Sequence, residues 1–229
     1  MAEYKKRRIS LPLLKYLIVI SSLGGLFISL FESSAHGYSH WSKRFLYFTA
    51  QSNAWIGLTT LAILLAPTLL KKTPPFLYVL KYVFTVSITL TGLVFCCLLG
   101  PFGDPSYHLW AFSSWLTHIF SPAFAIADFF LDDAKLPIRG GQVWICLLPP
   151  LFYLFSTLFL ETLNVDFGRG VPYPYFFMEY RSPVGLFGFS NELPFFAGTF
   201  YWILLLAILV YSIGYLFFKL KRERKLRAP

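Results

Sequence analysis

The chain of 229 residues is 56% hydrophobic and only 14% charged, a composition that excludes a soluble globular domain and fits an integral membrane protein. Its net charge of +9 does not indicate a nucleic-acid partner, because the basic residues cluster at the chain ends and in short loops. The three cysteines lie in apolar runs without metal-ligand spacing, so we expect neither a metal nor a cofactor.

The first predicted element is a transmembrane helix over residues 11–31, which follows a basic run at positions 5–8. A cleaved signal peptide is the alternative, since residues 33–35 loosely resemble a cleavage site. The apolar core is about twenty residues long, whereas signal-peptide cores run about 7–15 residues. We therefore expect a retained first helix.

Five further apolar runs are each long enough, at 1.5 Å per residue, to cross about 30 Å of hydrocarbon as a helix. They cover approximately residues 44–70, 76–99, 113–131, 143–163 and 195–218. Together with the first helix they predict an all-α, polytopic membrane protein. Residues 1–229 are expected to form one domain, a bundle of six transmembrane helices.

The positions of lysine and arginine predict the orientation of this bundle. If the amino terminus is cytoplasmic, the inner segments carry most basic residues, at positions 5–8, 71, 72, 135, 139 and 219–227. The outer segments carry only Lys43, Arg44, Arg169 and Arg181. This bias predicts that both termini are cytoplasmic. The basic tail is interpreted as a stop-transfer anchor held near anionic lipid.

The second predicted helix opens with polar side chains. At 100° per residue, Thr49, Ser52, Asn53 and Thr60 share one stripe, whereas Gln51 lies on the other side. An unpaired amide in hydrocarbon costs roughly 4–8 kcal/mol. The stripe is therefore predicted to face protein or a wet cavity rather than lipid.

The fourth predicted helix carries a comparable stripe, which comprises Ser114, His118, Ser121, Pro122 and Asp128. In the predicted topology both helices enter from the outer face, and Thr49 and His118 each lie five residues in. The two side chains are therefore predicted at the same depth, where they can meet.

Three charged residues lie near the ends of predicted helices. Lys81 and Asp128 lie near inner ends, and we expect both to extend to the cytoplasmic interface. Glu161 lies near the outer mouth of the bundle, where it either assists a site or contacts water.

The longest predicted loop, residues 164–194, joins the fifth and sixth helices on the outer side. Its first half is rich in aromatic residues, proline and glycine, and is too hydrophobic for a solvated linker. Two interpretations stay open: a lid packed over the outer mouth, or an aromatic belt at headgroup depth.

Three motifs, in this order, carry a family resemblance. They are Phe48-Thr49-x-x-Ser52-Asn53, His118-x-x-x-Pro122 followed by Asp128, and Arg169-Gly170 followed by Pro172-Tyr173-Pro174-Tyr175. In span count and motif order, nearly the whole chain resembles a bacterial family of six-span membrane proteins. That family is similar to the androgen-induced-protein superfamily, whose animal members are threonine-type lipid hydrolases.

The resemblance implies an activity and a site. It implies hydrolysis of lipid or fatty-acid esters, with Thr49 as nucleophile and His118 as base, since both the family histidine and His118 precede an acidic residue by ten positions. It implies membrane lipids or fatty-acid esters as substrate and the bacterial cytoplasmic membrane as location. Arg169, Tyr173 and Tyr175 are the implied headgroup or lid residues, although the family usually has phenylalanine in place of Tyr175.

A threonine hydroxyl needs a base within about 2.6–3.2 Å to take its proton during attack. His118 is the only histidine inside a predicted span, and apolar burial favours the neutral imidazole that this role requires. Asn53, one turn below Thr49, is predicted to orient His118 or to donate to the oxyanion. The further predicted supporting residues are Ser52, Ser121 and Glu161.

Non-catalytic alternatives stay open. Thr49, Asn53 and His118 are also expected if these side chains only hold two helices together. Lipid binding or transport would use the same pocket, but the second helix has no polar route inward below Thr60. The sequence leaves the substrate and the oligomeric state undetermined.

Overall fold

The computed structural model describes residues 12–32, 40–102, 111–134, 136–168 and 170–226. Six helices in this part of the chain are long and apolar enough to cross a membrane. They are α1 Pro12–Phe31, α2 Phe48–Leu70, α3 Pro75–Phe102, α4 Phe112–Leu131, α5 Gly140–Thr162 and α6 Thr199–Leu226. The described residues contain no strand beyond one isolated bridge. The predicted all-α, six-helix membrane fold is therefore confirmed, and the side on which the termini lie stays a prediction.

Two helices begin later than the sequence predicts. Residues 44–46 belong to a short 3-10 helix, Trp41–Leu46, and the extended Tyr47 separates it from α2. Before α6 the backbone folds back on itself, because Ser190 N–H donates to Phe196 and Gly198 N–H donates to Gly188. The first residue of each of these helices is set by a local backbone turn, which a hydropathy profile does not detect.

Helix α3 lies at the centre of the bundle and packs against α2, α4, α5 and α6. Half of its most apolar window is buried inside the protein, compared with 22% for α6. Its side chains Tyr82, Val86 and Leu90 join the largest apolar cluster, which also contains residues of the other packed helices. The central position of α3 explains why its small and polar side chains face other helices rather than lipid.

Helix α1 packs against α2 and α4 through small residues. A Cβ on Gly57 of α2 would lie 2.5 Å from Ser22 Oγ, and a Cβ on Gly25 of α1 would lie 2.8 Å from Leu116. Such close approach of backbones is typical of helix packing in membranes. These contacts hold both α2 and α4 against α1.

Candidate functional site

The side chains of Thr49 and His118 meet between α2 and α4. Thr49 Oγ1 lies 3.3 Å from His118 Nε2. Thr49 is the second residue of α2, so it is less deep in its helix than the sequence predicts. Both side chains are half-buried, which leaves the pair partly accessible. We call this end of the bundle the Thr49 end.

The other imidazole nitrogen determines which way the hydrogen bonds run. His118 Nδ1 lies 3.0 Å from the carbonyl oxygen of Ser114, which can only accept. Nδ1 therefore carries the proton, and Nε2 is left with a lone pair that accepts from the Thr49 hydroxyl. The Thr117 hydroxyl lies 3.1 Å from the same Nδ1 but donates to Ser113, so it does not change this assignment.

Helix α4 widens where it carries His118. Pro122 has no N–H to donate to the His118 carbonyl four residues earlier, and its ring crowds that carbonyl. The turn Leu116–Phe120 is a π-helix, with Ser121 N–H donating to the Leu116 carbonyl. Single π-turns occur frequently at functional sites, because they reorient one side chain within an otherwise regular helix.

A second π-helical turn, Phe95–Leu99 of α3, contributes an aromatic face to the imidazole. The rings of Phe95 and His118 stack with centroids 4.0 Å apart and planes 22° apart. Phe95 is 2% exposed, so its ring is held in the core. The imidazole is thus fixed by the Ser114 carbonyl at its edge and by Phe95 at its face.

An apolar cavity of about 140 Å³ opens beside Thr49. Its walls come from α3, α5 and α6, for example Val94, Leu151 and Leu206. Thr49 belongs to the lining, whereas His118 does not. Thr49 therefore contacts the imidazole and also lines a space suited to a hydrocarbon chain.

The long loop covers one side of this cavity. Tyr175, Phe177 and Met178 are buried and line the cavity wall. The Thr49 backbone N–H donates to the Tyr175 hydroxyl at 3.4 Å, which connects the loop to the start of α2. This part of the loop therefore packs against the helices, as the lid interpretation requires.

Other parts of the same loop are exposed rather than packed against the cavity. Phe189 is 70% exposed, and Phe187 and Leu193 are exposed as well, as a belt at headgroup depth would require. Near the start of the loop, Asp166 pairs with Lys43 at 2.5 Å. The Lys43 hydrogen bond lowers the pKa of the Asp166 carboxyl. The loop thus combines a buried aromatic half with an exposed one.

Asn53 does not have either role predicted from the sequence. Its amide Nδ2 donates to the Thr49 carbonyl at 2.9 Å and to the Thr117 carbonyl at 3.1 Å. A primary amide has two N–H donors, so none is left for an oxyanion. The orienting partner of His118 is the Ser114 carbonyl instead. Asn53 connects α2 to α4 beneath the Thr49 and His118 pair.

Two predicted supporting serines bond elsewhere. Ser52 Oγ lies 2.8 Å from Thr91 Oγ1 and connects α2 to α3. Ser121 Oγ donates to Ser21 Oγ at 3.0 Å and connects α4 to α1. Both are fully buried, which explains their hydroxyl pairing, but neither bonds to the Thr49 or His118 side chain.

Two more predicted site residues lie off the cavity. Glu161 is 9% exposed and pairs with Arg181 at 3.6 Å. Tyr173 is half-buried, and neither it nor Glu161 belongs to the cavity lining found in the described residues. The predicted headgroup residue Arg169 lies outside the described residues.

A second polar centre lies at the opposite end of the bundle, which we call the Asp128 end. Asp128 is fully buried and pairs with Lys81 at 2.5 Å and with Lys15 at 2.9 Å. Asp132 pairs with the same two lysines, at 2.9 and 3.0 Å. The expectation that Lys81 and Asp128 extend to the interface was therefore wrong, because each is neutralised inside the protein.

Asp132, just beyond the end of α4, is the member of this group that lies outside a span. Burial acts to raise its pKa, but Lys81 and Lys15 outweigh burial and lower the pKa well below its usual range. Two cations and two carboxylates thus form a neutral network that connects α1, α3 and α4.

Sequence reasoning missed three components of the Thr49 end. The Ser114 acceptor is a backbone carbonyl, which no side-chain pattern can identify. Phe95 gave no signal within an apolar helix, although Pro101 follows its π-turn much as Pro122 follows that of α4. Tyr153 lines the cavity and shares the buried face of α5 with Thr157 and Glu161, and this spacing of polar groups at i, i+4 and i+8 was a usable signal.

No family model, curated protein or solved structure matches the chain. The described residues contain no group of three His, Cys, Asp or Glu side chains that could hold a metal ion. The class that the fold defines is a multi-pass integral membrane protein. The features that bear on its biochemical activity are the Thr49 and His118 pair, the cavity beside it and the charged network at the Asp128 end.

Proposed function

We propose that the protein is an integral membrane hydrolase of lipid or fatty-acid esters, with Thr49 as nucleophile and His118 as general base. The observation that carries the proposal is the 3.3 Å contact between Thr49 Oγ1 and His118 Nε2, with Nδ1 fixed on the Ser114 carbonyl. A nucleophile, a base and a group that orients the base are the arrangement used in acyl transfer. The contact is slightly longer than a catalytic hydrogen bond, as is common without substrate.

The proposed reaction has two halves. Thr49 Oγ1 attacks the ester carbonyl carbon while His118 Nε2 takes its proton, and the imidazolium then protonates the leaving alkoxide. The ester C–O bond breaks, the alcohol leaves and the acyl group stays on Thr49. Water attacks the acyl-threonine with Nε2 as base, and the proton returns to Thr49 Oγ1 as the fatty acid departs. Ser114 holds Nδ1–H throughout.

The cavity supports an acyl substrate. Its lining is chiefly aliphatic and aromatic, and Thr49 is part of it. A hydrocarbon chain in this space would place its ester carbonyl near the nucleophile. The sequence resemblance supports the same substrate class and a location in the bacterial cytoplasmic membrane.

Active-site labelling tests the nucleophile. Purified protein in detergent is treated with a fluorophosphonate probe that carries an alkyl chain, which transfers its phosphonyl group to an activated hydroxyl with loss of fluoride. We expect labelling of the wild type and loss of labelling in Thr49→Ala and His118→Ala. Thr59→Ala is the matched control, because Thr59 lies on the same helix but is buried away from the cavity lining. Labelling that persists in Thr49→Ala rules out Thr49.

Turnover provides an independent measurement. Wild-type protein is incubated with long-chain and short-chain p-nitrophenyl esters, and Thr49→Ser is compared with Thr49→Ala. The serine variant keeps the hydroxyl and is expected to retain hydrolysis, whereas the alanine variant is expected to lose it. Equal rates in wild type and Thr49→Ala would contradict the proposal.

The second candidate is a non-catalytic lipid-binding protein that uses the same cavity. The bonds from Asn53 to the backbones of both α2 and α4 favour it, since they make the polar group at the Thr49 end part of the helix packing. This candidate predicts that Thr49→Ala lowers the melting temperature without removing any ester hydrolysis. Binding of a fluorescent fatty acid would then be unchanged by His118→Ala.

A further inference from the structure

One buried hydroxyl in the cavity wall makes no hydrogen bond of normal geometry. Tyr153 of α5 is 6% exposed and lines the same cavity as Thr49. Its phenolic oxygen is buried and makes no hydrogen bond of normal geometry within the described chain, although the Thr157 side chain and the Phe48 backbone lie near it. A buried hydroxyl is normally paired, because leaving it unpaired forfeits the hydrogen bonds that it makes with water in the unfolded chain. The Tyr153 O–H is therefore available to donate a hydrogen bond to a ligand in the cavity.

The ring of Tyr153 lies at the end of the cavity where Thr49 is found. It packs against Phe48, the residue before Thr49, with centroids 5.3 Å apart. It also lies 6.3 Å from the ring of Tyr175, whose hydroxyl accepts the Thr49 backbone N–H. Most other residues that line the cavity are apolar, such as Val94 and Leu206.

The ester reaction requires a donor that Asn53 cannot supply. Negative charge develops on the carbonyl oxygen as a hydroxyl attacks, and a fixed donor at that position stabilises it. Both N–H groups of Asn53 are used on backbone carbonyls. A phenol is both a hydrogen-bond donor and an acceptor, so it can donate to such an oxygen.

We propose that the Tyr153 hydroxyl donates a hydrogen bond to the carbonyl oxygen of an acyl ester bound beside Thr49, and to the oxyanion formed from it. The proposal rests on the proposed ester hydrolysis and adds a catalytic residue to it. Tyr153 binds the oxygen, Thr49 attacks the carbon, and His118 moves the proton.

The first experiment tests whether Tyr153 donates a hydrogen bond to a bound carbonyl, and it does not require catalysis. Methyl nonyl ketone, which has a carbonyl but no leaving group, is bound to the Thr49→Ala protein, and its carbonyl stretch is recorded by isotope-edited infrared spectroscopy. We expect the band to lie at lower frequency than for the ketone in empty detergent micelles. In Thr49→Ala with Tyr153→Phe, the band is expected to return to the micelle value. A band that is unshifted, or shifted equally with and without the Tyr153 hydroxyl, overturns the proposal.

Tyr215→Phe is the matched control, because Tyr215 is 50% exposed on the outside of α6 and away from the cavity lining. It should leave the shifted band unchanged. Melting temperatures of the phenylalanine variants are measured in parallel. A shift lost in Tyr153→Phe with an unchanged melting temperature assigns the loss to the hydroxyl rather than to unfolding.

The second experiment measures catalysis in protein with intact Thr49. Tyr153→Phe is expected to lower kcat for a long-chain p-nitrophenyl ester by about a hundredfold, with KM changed much less, because the donor acts on charge that develops in the transition state. An unchanged kcat overturns the catalytic role. If no Thr49-dependent hydrolysis exists, the proposed function fails, and the ketone band still decides whether Tyr153 binds an acyl carbonyl.

Discussion

The carbonyl oxygen of His118 lies 3.0 Å from the position that a Cβ on Gly92 would occupy, and Pro122 Cγ lies 3.1 Å from the same position. The backbones of helices α3 and α4 therefore approach one another closely at His118. Gly92→Ala should force them apart and destabilise the protein by about 1–3 kcal/mol, as overpacking does. Thermal unfolding in detergent measures this loss, and the long-chain esterase assay measures the effect on His118.

Gly24 provides the comparison. No atom lies within 4 Å of a Cβ placed on Gly24, although it is also a helical glycine. Gly24→Ala should be neutral or slightly stabilising, since alanine has the higher helix propensity. If both substitutions destabilised the protein equally, the close approach of α3 and α4 at His118 would not be the reason for a glycine at position 92.

The stacking of Phe95 on His118 predicts a loss of activity that exceeds the loss of stability. Phe95→Leu keeps an apolar side chain but removes the flat face, so the imidazole gains freedom to rotate away from Thr49. We expect kcat for ester hydrolysis to fall by about tenfold, because small misplacements of a catalytic group are costly. The expected destabilisation is about 1–2 kcal/mol, measured by thermal unfolding.

Phe84→Leu separates these two effects. Phe84 lies on the same helix and stacks on Trp55 at 5.5 Å. Its replacement should cost similar stability and leave kcat unchanged. A comparable fall in kcat for both variants would assign the effect to general loosening of α3.

The network at the Asp128 end predicts a large stability effect from one substitution. Asp128→Asn leaves Lys81, which is 3% exposed, without one of its two carboxylates. Removing one partner of a buried ion pair costs about 3–5 kcal/mol, because the remaining charge stays desolvated. Unfolding in mixed detergent micelles should detect this loss.

The double variant Asp128→Leu with Lys81→Met removes both charges and leaves the Lys15 and Asp132 pair in place. An apolar pair of similar size is often as stable as the buried ion pair that it replaces. We therefore expect it to recover most of the stability lost in Asp128→Asn. A double variant that is as unstable as Asp128→Asn would show that the charges themselves are required for folding.

Asp132 predicts a pH dependence of stability. The pKa of its carboxyl is lower in the folded protein than in the unfolded chain. Its contribution to the free energy of unfolding is therefore fully present above the unfolded-state pKa of about 3.9, and it declines as the pH falls toward the folded-state pKa. Asp132→Asn should therefore lower the melting temperature at pH 7, and the difference from wild type should shrink below about pH 4. Asp133→Asn, which removes the adjacent exposed carboxylate, should show a smaller effect at pH 7. A difference that is constant from pH 7 to pH 3 would contradict the assignment to Asp132.

The six spans were predictable because length and hydropathy are local properties. The helix starts were less predictable: α2 begins at Phe48 after a 3-10 turn, and α6 begins at Thr199 after the chain folds back. Hydrogen bonds between residues outside the helices set both starts. An apolar turn and an apolar helix have similar hydropathy values, so a hydropathy profile does not distinguish them.

Beyond the Thr49 and His118 pair, the candidate site was predictable only as a set of faces. A helical repeat of 3.6 residues indicates that Thr49 and Asn53 share a side, but it does not indicate what lies opposite each of them. The sequence predicts that Asn53 orients His118 or donates to the oxyanion, whereas its amide bonds to two backbone carbonyls. Ser121 was assigned to the same site and instead bonds to Ser21 of α1.

The sequence by itself determined that six apolar helices form and that the polar stripes of the second and fourth face away from lipid. Both follow from composition and periodicity along single segments. Only the tertiary structure decided that Thr49 meets His118, that Asp128 is buried with Lys81, and that a cavity lies beside the threonine. These depend on the register and crossing of separate helices, which small residues such as Gly92 set through contacts distant in sequence.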